Sequence, residues 1–410
     1  MAPKTILIVG GGIGGIVAAN GLARRLRPEH RIILVDKTAR HEFAPSFLWV
    51  MVGARRPAQV ATDRRRLLHH RVEFVQAEVT QIDTGAQRVR AGERDLPYDY
   101  LVLALGAGLA PERVPGLAGA YHTSYTLDGA AHLWDAVQKF PGGRVAVVVA
   151  GLPFKCPAAP YETALLLQAA LAARKVKAQL DLFTPEPLPM PVAGPTVGGQ
   201  LRALVEEAGI AYHPLARLVS VDASQRELAF ENAPSAPYDL LVAIPPHAGP
   251  QVAREAGLAN EAGWVPVDGA SLKTKQANIF ALGDAAVIPL AGRWKPNMPL
   301  VLPKAGVFAH AQGEVVAANI ATELAGQRPT AAFDGYGYCM VETGHSVAAM
   351  GAGNFFATPS PSIKLERPGV RWHWGKVLFE RYWLSTGLAR QSYRTFIQIG
   401  ARASGLDIRL

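Results

Sequence analysis

The chain has 410 residues, 49% hydrophobic and 18% charged, with 40 Gly, 31 Pro and a formal net charge of +9. At roughly 150 residues per domain this makes two or three domains, and the apolar content excludes a disordered or low-complexity polypeptide. Two cysteines exclude a disulfide-stapled secreted scaffold and a cysteine-rich zinc site, yet suffice for one redox pair.

No apolar run reaches about 18 residues, so no membrane-spanning helix is predicted. The stretch 1–9 is too short for a signal peptide and runs straight into glycines. A chain that starts at Met1 is therefore not expected to be exported through an ordinary cleaved signal.

Thr5–Val9 is a short apolar β-run. Gly10, Gly12 and Gly15 follow in a G-x-G-x-x-G pattern, then a helical stretch over 16–26, a strand over 31–35, and Asp36. Strand, glycine turn, helix, strand and acid make the βαβ dinucleotide pattern. Glycines let the backbone approach a pyrophosphate, and the helix N-terminus offers free N–H groups with partial positive charge. Asp36, 26 residues after Gly10, can accept hydrogen bonds from an adenosine ribose. The plain alternative is a glycine turn without a ligand.

A strand over 98–105 ends in Gly106-Ala107-Gly108. A strand over 144–150 starts what looks like a second dinucleotide site, but the glycines are missing. Gly151 is followed by Leu152-Pro153-Phe154-Lys155-Cys156-Pro157, and proline offers no N–H to a phosphate. This reads as a Rossmann-like domain that has lost its nicotinamide site and carries a cysteine instead. A helix over 161–173 and a strand over 179–183 follow. Five prolines in 185–199 predict a loop. A helix over 200–208 and a strand over 238–244 close this domain. Tyr238-Asp239-Leu240-Leu241-Val242 echoes Tyr98-Asp99-Tyr100-Leu101-Val102, as two copies of one fold would.

A strand over 278–282 ends in Gly283-Asp284. Asp284 is placed to bind a polyol hydroxyl, or simply to cap a turn. A long helix over 305–325 follows Pro303-Lys304. From 361 to 410, nine Lys/Arg stand against three acids. Trp372, Trp374, Phe379, Tyr382, Trp383, Tyr393 and Phe396 are interleaved there with Lys376, Arg381, Arg390 and Arg394. That composition suits an amphipathic helix facing an anionic lipid surface. The alternative is an apolar face for a homo-oligomer or for core packing. No nucleic-acid module accompanies the patch. The histidines show no ligand spacing, so no metal is assigned.

On Gly10, Gly12, Gly15, Ala104-Leu105-Gly106 and Asn278-Ile279-Phe280-Ala281-Leu282-Gly283-Asp284-Ala285, the chain resembles flavoproteins with two dinucleotide-binding domains. Lys155-Cys156-Pro157, Pro160, Glu162, Pro303-Lys304, Gly306 and Gly337-Tyr338-Cys339 narrow the likeness. They make it most similar to the sulfide:quinone oxidoreductases and to the flavin subunit of flavocytochrome c sulfide dehydrogenase, over residues 4 to about 400.

The resemblance implies an α/β fold of two Rossmann-like dinucleotide-binding domains plus a C-terminal amphipathic helical membrane-association segment. The expected divisions are 1–111 and 251–330 for the FAD-binding domain, 112–250 for the second domain, and 331–410 for the C-terminal segment. FAD would be held by Gly10, Gly12, Gly15, Asp36, Lys37, Ala104, Gly106, Ala107, Gly283, Asp284 and Lys304. It would be non-covalent, because 40–50 lacks the anchoring cysteine of the flavocytochrome subunit.

Cys156 and Cys339, 183 residues apart, would form the redox disulfide. Hydrosulfide would attack it, leaving a persulfide on Cys156 and a thiolate on Cys339, and two electrons would pass to the flavin. Lys155 would favour thiolate on Cys156. Two buried structural thiols are the plain alternative. Glu162 would serve as acid/base. Lys304 and the helix start beyond it would stabilise negative charge on reduced flavin. A membrane quinone would enter near Phe379, Tyr338 and Gly306, placing the protein peripherally at the cell membrane.

The chain departs from the family at a C-T-x-D-H-A motif, where Tyr125 takes the cysteine position and Gly129 the histidine position. The competing readings are a type II NADH:quinone oxidoreductase, a flavin subunit that reduces cytochrome c, and a non-enzymatic flavin-binding protein.

Overall fold

The computed structural model describes residues 2–408 and 410. Met1 and Arg409, the latter counted in the basic tail, lie outside the described residues. A five-stranded parallel sheet runs in the order Ile279–Ala281, Tyr100–Leu103, Thr5–Val9, Arg31–Asp36, Val72–Gln76. Covered on both faces, its central strand is apolar at nearly every position and fully buried over Ile6, Leu7, Ile8 and Val9. Strand order reverses between Thr5–Val9 and Tyr100–Leu103, and a crevice forms at such a reversal. Gly10 and Gly106 sit at the carboxyl ends of those two strands.

A second parallel sheet has the order Ala211–His213, Ala178–Phe183, Gly143–Val149, Leu240–Ile244. The chain passes between the two sheets through one antiparallel pair, Gly108–Leu109 against His247–Ala248. After that pair, Ile279–Ala281 returns to the first sheet beside Tyr100–Leu103.

Helices Ile13–Arg25 and Gly306–Leu324 pack closely because small residues line their contact. A Cβ on Gly313 would stand 2.8 Å from the Gly14 carbonyl oxygen, and one on Gly306 would stand 2.8 Å from Ile13 Cδ1. The packing brings the N-termini of two long helices to one place, each without a side-chain cap.

The structure departs from sequence expectation in two segments. The proline-rich 185–199 is not loop throughout. Helix Pro195–Glu207 begins inside it, because proline is tolerated in the first turn, where no intrahelical N–H is needed. The C-terminal segment opens with an antiparallel sheet that the sequence reading missed, Tyr336–Gly344, Val347–Asn354 and Ser362–Gly369.

Two helices follow, Val370–Leu384 and Gly387–Ala403, and they differ. The first buries Trp372, Lys376, Val377, Glu380, Tyr382 and Trp383 against the body of the protein. The second is amphipathic. It buries Ile397 and Ala401 and leaves Leu388, Phe396 and Ile399 exposed at 83%, 62% and 61%. Among the described residues no helix is long and apolar enough to cross a membrane.

Candidate flavin and dithiol site

The glycine turn is built for close approach. Gly10 has φ +102°, and a Cβ there would meet the Ala104 carbonyl oxygen at 2.3 Å. Gly15 has no room either, with the Gly10 oxygen 1.9 Å from its ideal Cβ. Gly12, at the N-cap of helix Ile13–Arg25, faces open space, as does Gly106. Asp36 accepts from the Gly11 N–H at 2.7 Å and the Thr38 N–H at 2.9 Å. Arg64, which sequence reasoning missed, lies 3.1 Å from Asp36 and donates to the Gly11 carbonyl at 2.8 Å. Lys37, one residue on, is exposed to solvent.

Asp284 lies on the short turn Gly283–Ala285. Its Oδ1 is buried without a hydrogen-bond partner, and burial pushes its pKa up against the pull of Lys155 and Lys304. Lys304 is buried, not solvated. Its Nζ donates to the carbonyls of Asp284 at 2.6 Å and Ala286 at 3.1 Å and lies 3.6 Å from the Trp264 ring centre. Burial draws its pKa down to about 8, with Asp284 opposing.

An open glycine cradle, two uncapped helix N-termini and an orphaned buried carboxylate oxygen fit flavin adenine dinucleotide. Gly10, Gly12, Gly15, Asp36, Gly106, Gly283 and Asp284 would hold it. Lys304 and the start of helix Gly306–Leu324 lie next to Asp284 and would face developing negative charge.

The two cysteines meet at this end of the molecule. Cys156 lies in a turn at φ +57°, just before helix Ala159–Ala173. Its N–H donates to the Lys304 carbonyl at 2.6 Å, which ties the cysteine turn to Lys304. Cys339 comes from strand Tyr336–Gly344, opposite Gly351. Both thiols are free and within side-chain hydrogen-bonding reach of each other. That contact, then burial, raises the Cys339 pKa well above the ordinary thiol value. Tyr125 is buried behind them, and its hydroxyl donates to the Cys156 carbonyl at 3.4 Å. His247 packs edge-on against Tyr125 at 5.4 Å.

Glu162 is fully buried on the first turn of helix Ala159–Ala173. It accepts from the Glu342 N–H at 2.9 Å and from Lys376 Nζ at 2.7 Å. Lys376 also reaches the Met340 carbonyl at 3.3 Å and lies 5.4 Å from the Trp49 ring centre. The Glu342 carboxylate, 1% exposed, is held by His373 Nδ1 at 2.9 Å. Burial raises the Glu162 pKa, and Lys376 opposes that shift.

Sequence reasoning put Lys376 among headgroup-facing cations; the structure places it in the interior beside the dithiol. The missed signal was its spacing. His373, Lys376 and Glu380 recur at i, i+3 and i+7, so they share one face of the helix, with Lys376 and Glu380 buried and His373 half-buried.

Cys156, Cys339 and Glu162 line one cavity together with Gly306, Tyr338 and Phe379. Tyr338 and Phe379 meet edge-to-face at 6.4 Å. The residues expected at the dithiol and those expected at the quinone therefore share a single, largely apolar chamber. Lys304 and Gly283 line a smaller recess that adjoins it.

Residues 4–313 match the pyridine nucleotide-disulphide oxidoreductase family model, and the chain belongs to that family. Within it, the chain is similar over nearly its whole length to the sulfide-quinone reductase of Aquifex aeolicus. The two are 28% identical over 93% of this chain and 90% of that protein. It is 24% identical to the mitochondrial sulfide:quinone oxidoreductase of Mus musculus, over 89% of this chain and 81% of that one. The X-ray structure of the Aquifex aeolicus sulfide:quinone oxidoreductase superposes with a TM-score of 0.82 at 24% identity, covering 92% and 90% of the two chains.

Proposed function

We propose that the protein is an FAD-dependent sulfide:quinone oxidoreductase that works through a Cys156–Cys339 disulfide. The observation that carries this is the meeting of the two thiols in the cavity that Tyr338 and Phe379 also line. FAD, when bound, accepts the two electrons released by sulfide and passes them to quinone.

In the oxidised protein, hydrosulfide attacks the sulfur of Cys156. The Cys156–Cys339 bond breaks, a persulfide forms on Cys156, and Cys339 leaves as thiolate. Lys376 favours that thiolate, and Glu162 opposes it. Glu162, held between the Lys376 ammonium and the Glu342 N–H, is placed to take the persulfide proton. The aromatic pair Tyr338–Phe379 offers flat apolar walls to a quinone ring.

Two features weigh against NADH as donor. The turn after Gly143–Val149 carries Pro153 and Phe154, with Phe154 buried, where a phosphate would need N–H groups. The acid after Ala178–Phe183 is Glu186, and it turns inward to accept from the Tyr161 hydroxyl at 2.6 Å instead of presenting itself to a ribose.

The C-terminal helix supports a membrane-peripheral location. Leu388, Phe396 and Ile399 form an exposed apolar stripe, and Trp374 on the preceding helix is 58% exposed.

The test is anaerobic flavin absorbance, titrated with sulfide and separately with NADH. Bleaching by sulfide, lost in Cys156→Ala and Cys339→Ala, is expected. Bleaching by NADH alone, or sulfide bleaching that survives both substitutions, would overturn the reading.

A further inference from the structure

A basic cleft opens where the terminal helix Gly387–Ala403 crosses helices Ile13–Arg25 and Gly306–Leu324. Its charged side chains are Arg24, Arg25, Arg390 and Arg394, with Glu314 as the only acidic one among the described residues, and the last residue, Leu410, also lines it. Glu314 is shared between Arg24 at 3.1 Å and Arg25 at 2.9 Å. Among the described residues Arg390 and Arg394 make no ion pair. Arg390 lies 4.9 Å from the Tyr382 ring centre and 5.6 Å from that of Trp383, a contact that fixes the guanidinium and leaves its N–H groups free. Four arginines thus converge on a cleft that holds one carboxylate side chain.

The cleft touches the chamber described above. His310 lines both, and it packs against Trp383 at 6.0 Å. Burial, with Arg390, Arg24 and Arg394 behind it, brings the His310 pKa down to about 4 against the pull of Glu314. The wall between the two spaces is therefore a buried, neutral imidazole.

The terminal helix relates the cleft to the surface. At about 3.6 residues per turn, Leu388, Phe396 and Ile399 fall on one side. Arg390 and Arg394 fall on the side turned away from them. A bilayer that takes up the apolar stripe places those arginines at headgroup depth.

We infer that this cleft is a site for the phosphodiester headgroup of an anionic phospholipid, seated on Arg390 and Arg394 with Arg24 at its edge. Guanidinium groups pair with phosphate oxygens through directed N–H bonds, and basic pockets between helices next to a membrane take such headgroups. The bound lipid would close the chamber on its membrane side, at His310. The inference rests on the membrane-peripheral reading above.

The experiment is co-sedimentation of the FAD-loaded protein with vesicles of phosphatidylcholine alone, and of phosphatidylcholine mixed with phosphatidylglycerol. The wild type is expected to prefer the mixed vesicles. At about 1 kcal/mol per arginine near the surface, Arg390→Gln with Arg394→Gln should weaken binding to mixed vesicles about thirtyfold. That variant should leave binding to neutral vesicles, flavin content and sulfide-dependent bleaching unchanged. Phe396→Ser with Ile399→Ser should release the protein from both vesicle types.

A preference that survives in the arginine variant overturns the inference. So does displacement from mixed vesicles by inorganic phosphate at a concentration too low to act by ionic strength, which would mark a free-anion site. Equal wild-type binding to both vesicle types overturns the headgroup site and leaves the peripheral location standing. Absence of binding to either overturns both. None of these outcomes bears on sulfide bleaching, so the sulfide reading stands or falls separately.

Discussion

Lys376 and Glu162 are 214 residues apart in sequence, and their side chains meet at 2.7 Å in the interior next to Cys339. They are 7% and 1% exposed, so water screens neither charge. A buried pair of this kind contributes little net stability over a well-packed apolar pair, but breaking it leaves one charge stranded.

Lys376→Met alone is therefore expected to cost about 3–5 kcal/mol, as is Glu162→Leu alone, while the double variant lies close to wild type. Denaturant unfolding of the four proteins closes this cycle. The double variant should still lose rapid sulfide-dependent bleaching, because the proton acceptor has gone. Additive destabilisation would show that the two residues do not act as a pair.

The glycines of the first turn are expected to separate folding from cofactor binding. Gly15→Ala puts a methyl 1.9 Å from the Gly10 oxygen and should not give folded protein. Gly12→Val has open space at its Cβ, with nothing of the polypeptide within 4 Å of that atom. It should fold normally, with a native circular dichroism spectrum, and retain little FAD because its side chain fills the cradle. A Gly12→Val protein with full flavin content would refute the placement.

Glu186 is buried against Tyr161, and burial pushes its pKa up from 4.5 to about 7. A raised carboxyl pKa means that the folded protein binds the proton more tightly than the unfolded chain. The stabilising contribution is full below about 4.5 and is lost as pH rises through about 7. Glu186→Gln cannot ionise and keeps an acceptor for the tyrosine hydroxyl. Between pH 5 and pH 9 its stability relative to wild type should rise by about 3 kcal/mol. A difference that does not vary with pH would refute the assignment.

Phe379 packs on Tyr338 and lines the chamber. Phe379→Ala is expected to raise the KM for a short-chain quinone several-fold, while the rate of anaerobic flavin bleaching by sulfide stays unchanged. Stopped-flow absorbance separates the two half-reactions. Loss of bleaching with unchanged quinone KM would move Phe379 to the sulfide half of the reaction.

Much of this architecture is written locally. The turn at Gly10, Gly12 and Gly15 can be read because it depends on neighbouring residues, as do the apolar strand before it and Asp36 after it. The same holds for Pro153 and Phe154, where the second domain lacks a phosphate-binding turn. The C-terminal sheet was not legible. Its middle strand, Val347–Asn354, is mostly Gly and Ala, and the pairing depends on partners across hairpins and on helix Val370–Leu384. Arg64 was equally hidden, since nothing near it in sequence points to Asp36.

By itself the sequence determined the dinucleotide-binding class, the missing nicotinamide turn and the two cysteine contexts, because each rests on short-range steric or hydrogen-bonding demands. Only the tertiary structure decided which groups face those cysteines. Burial and charge state depend on what packs from distant segments. Lys376, on a helix that reads as lipid-seeking, becomes the buried partner of Glu162, while Arg390 and Arg394, similar in composition and only a few turns further on, remain in an open cleft.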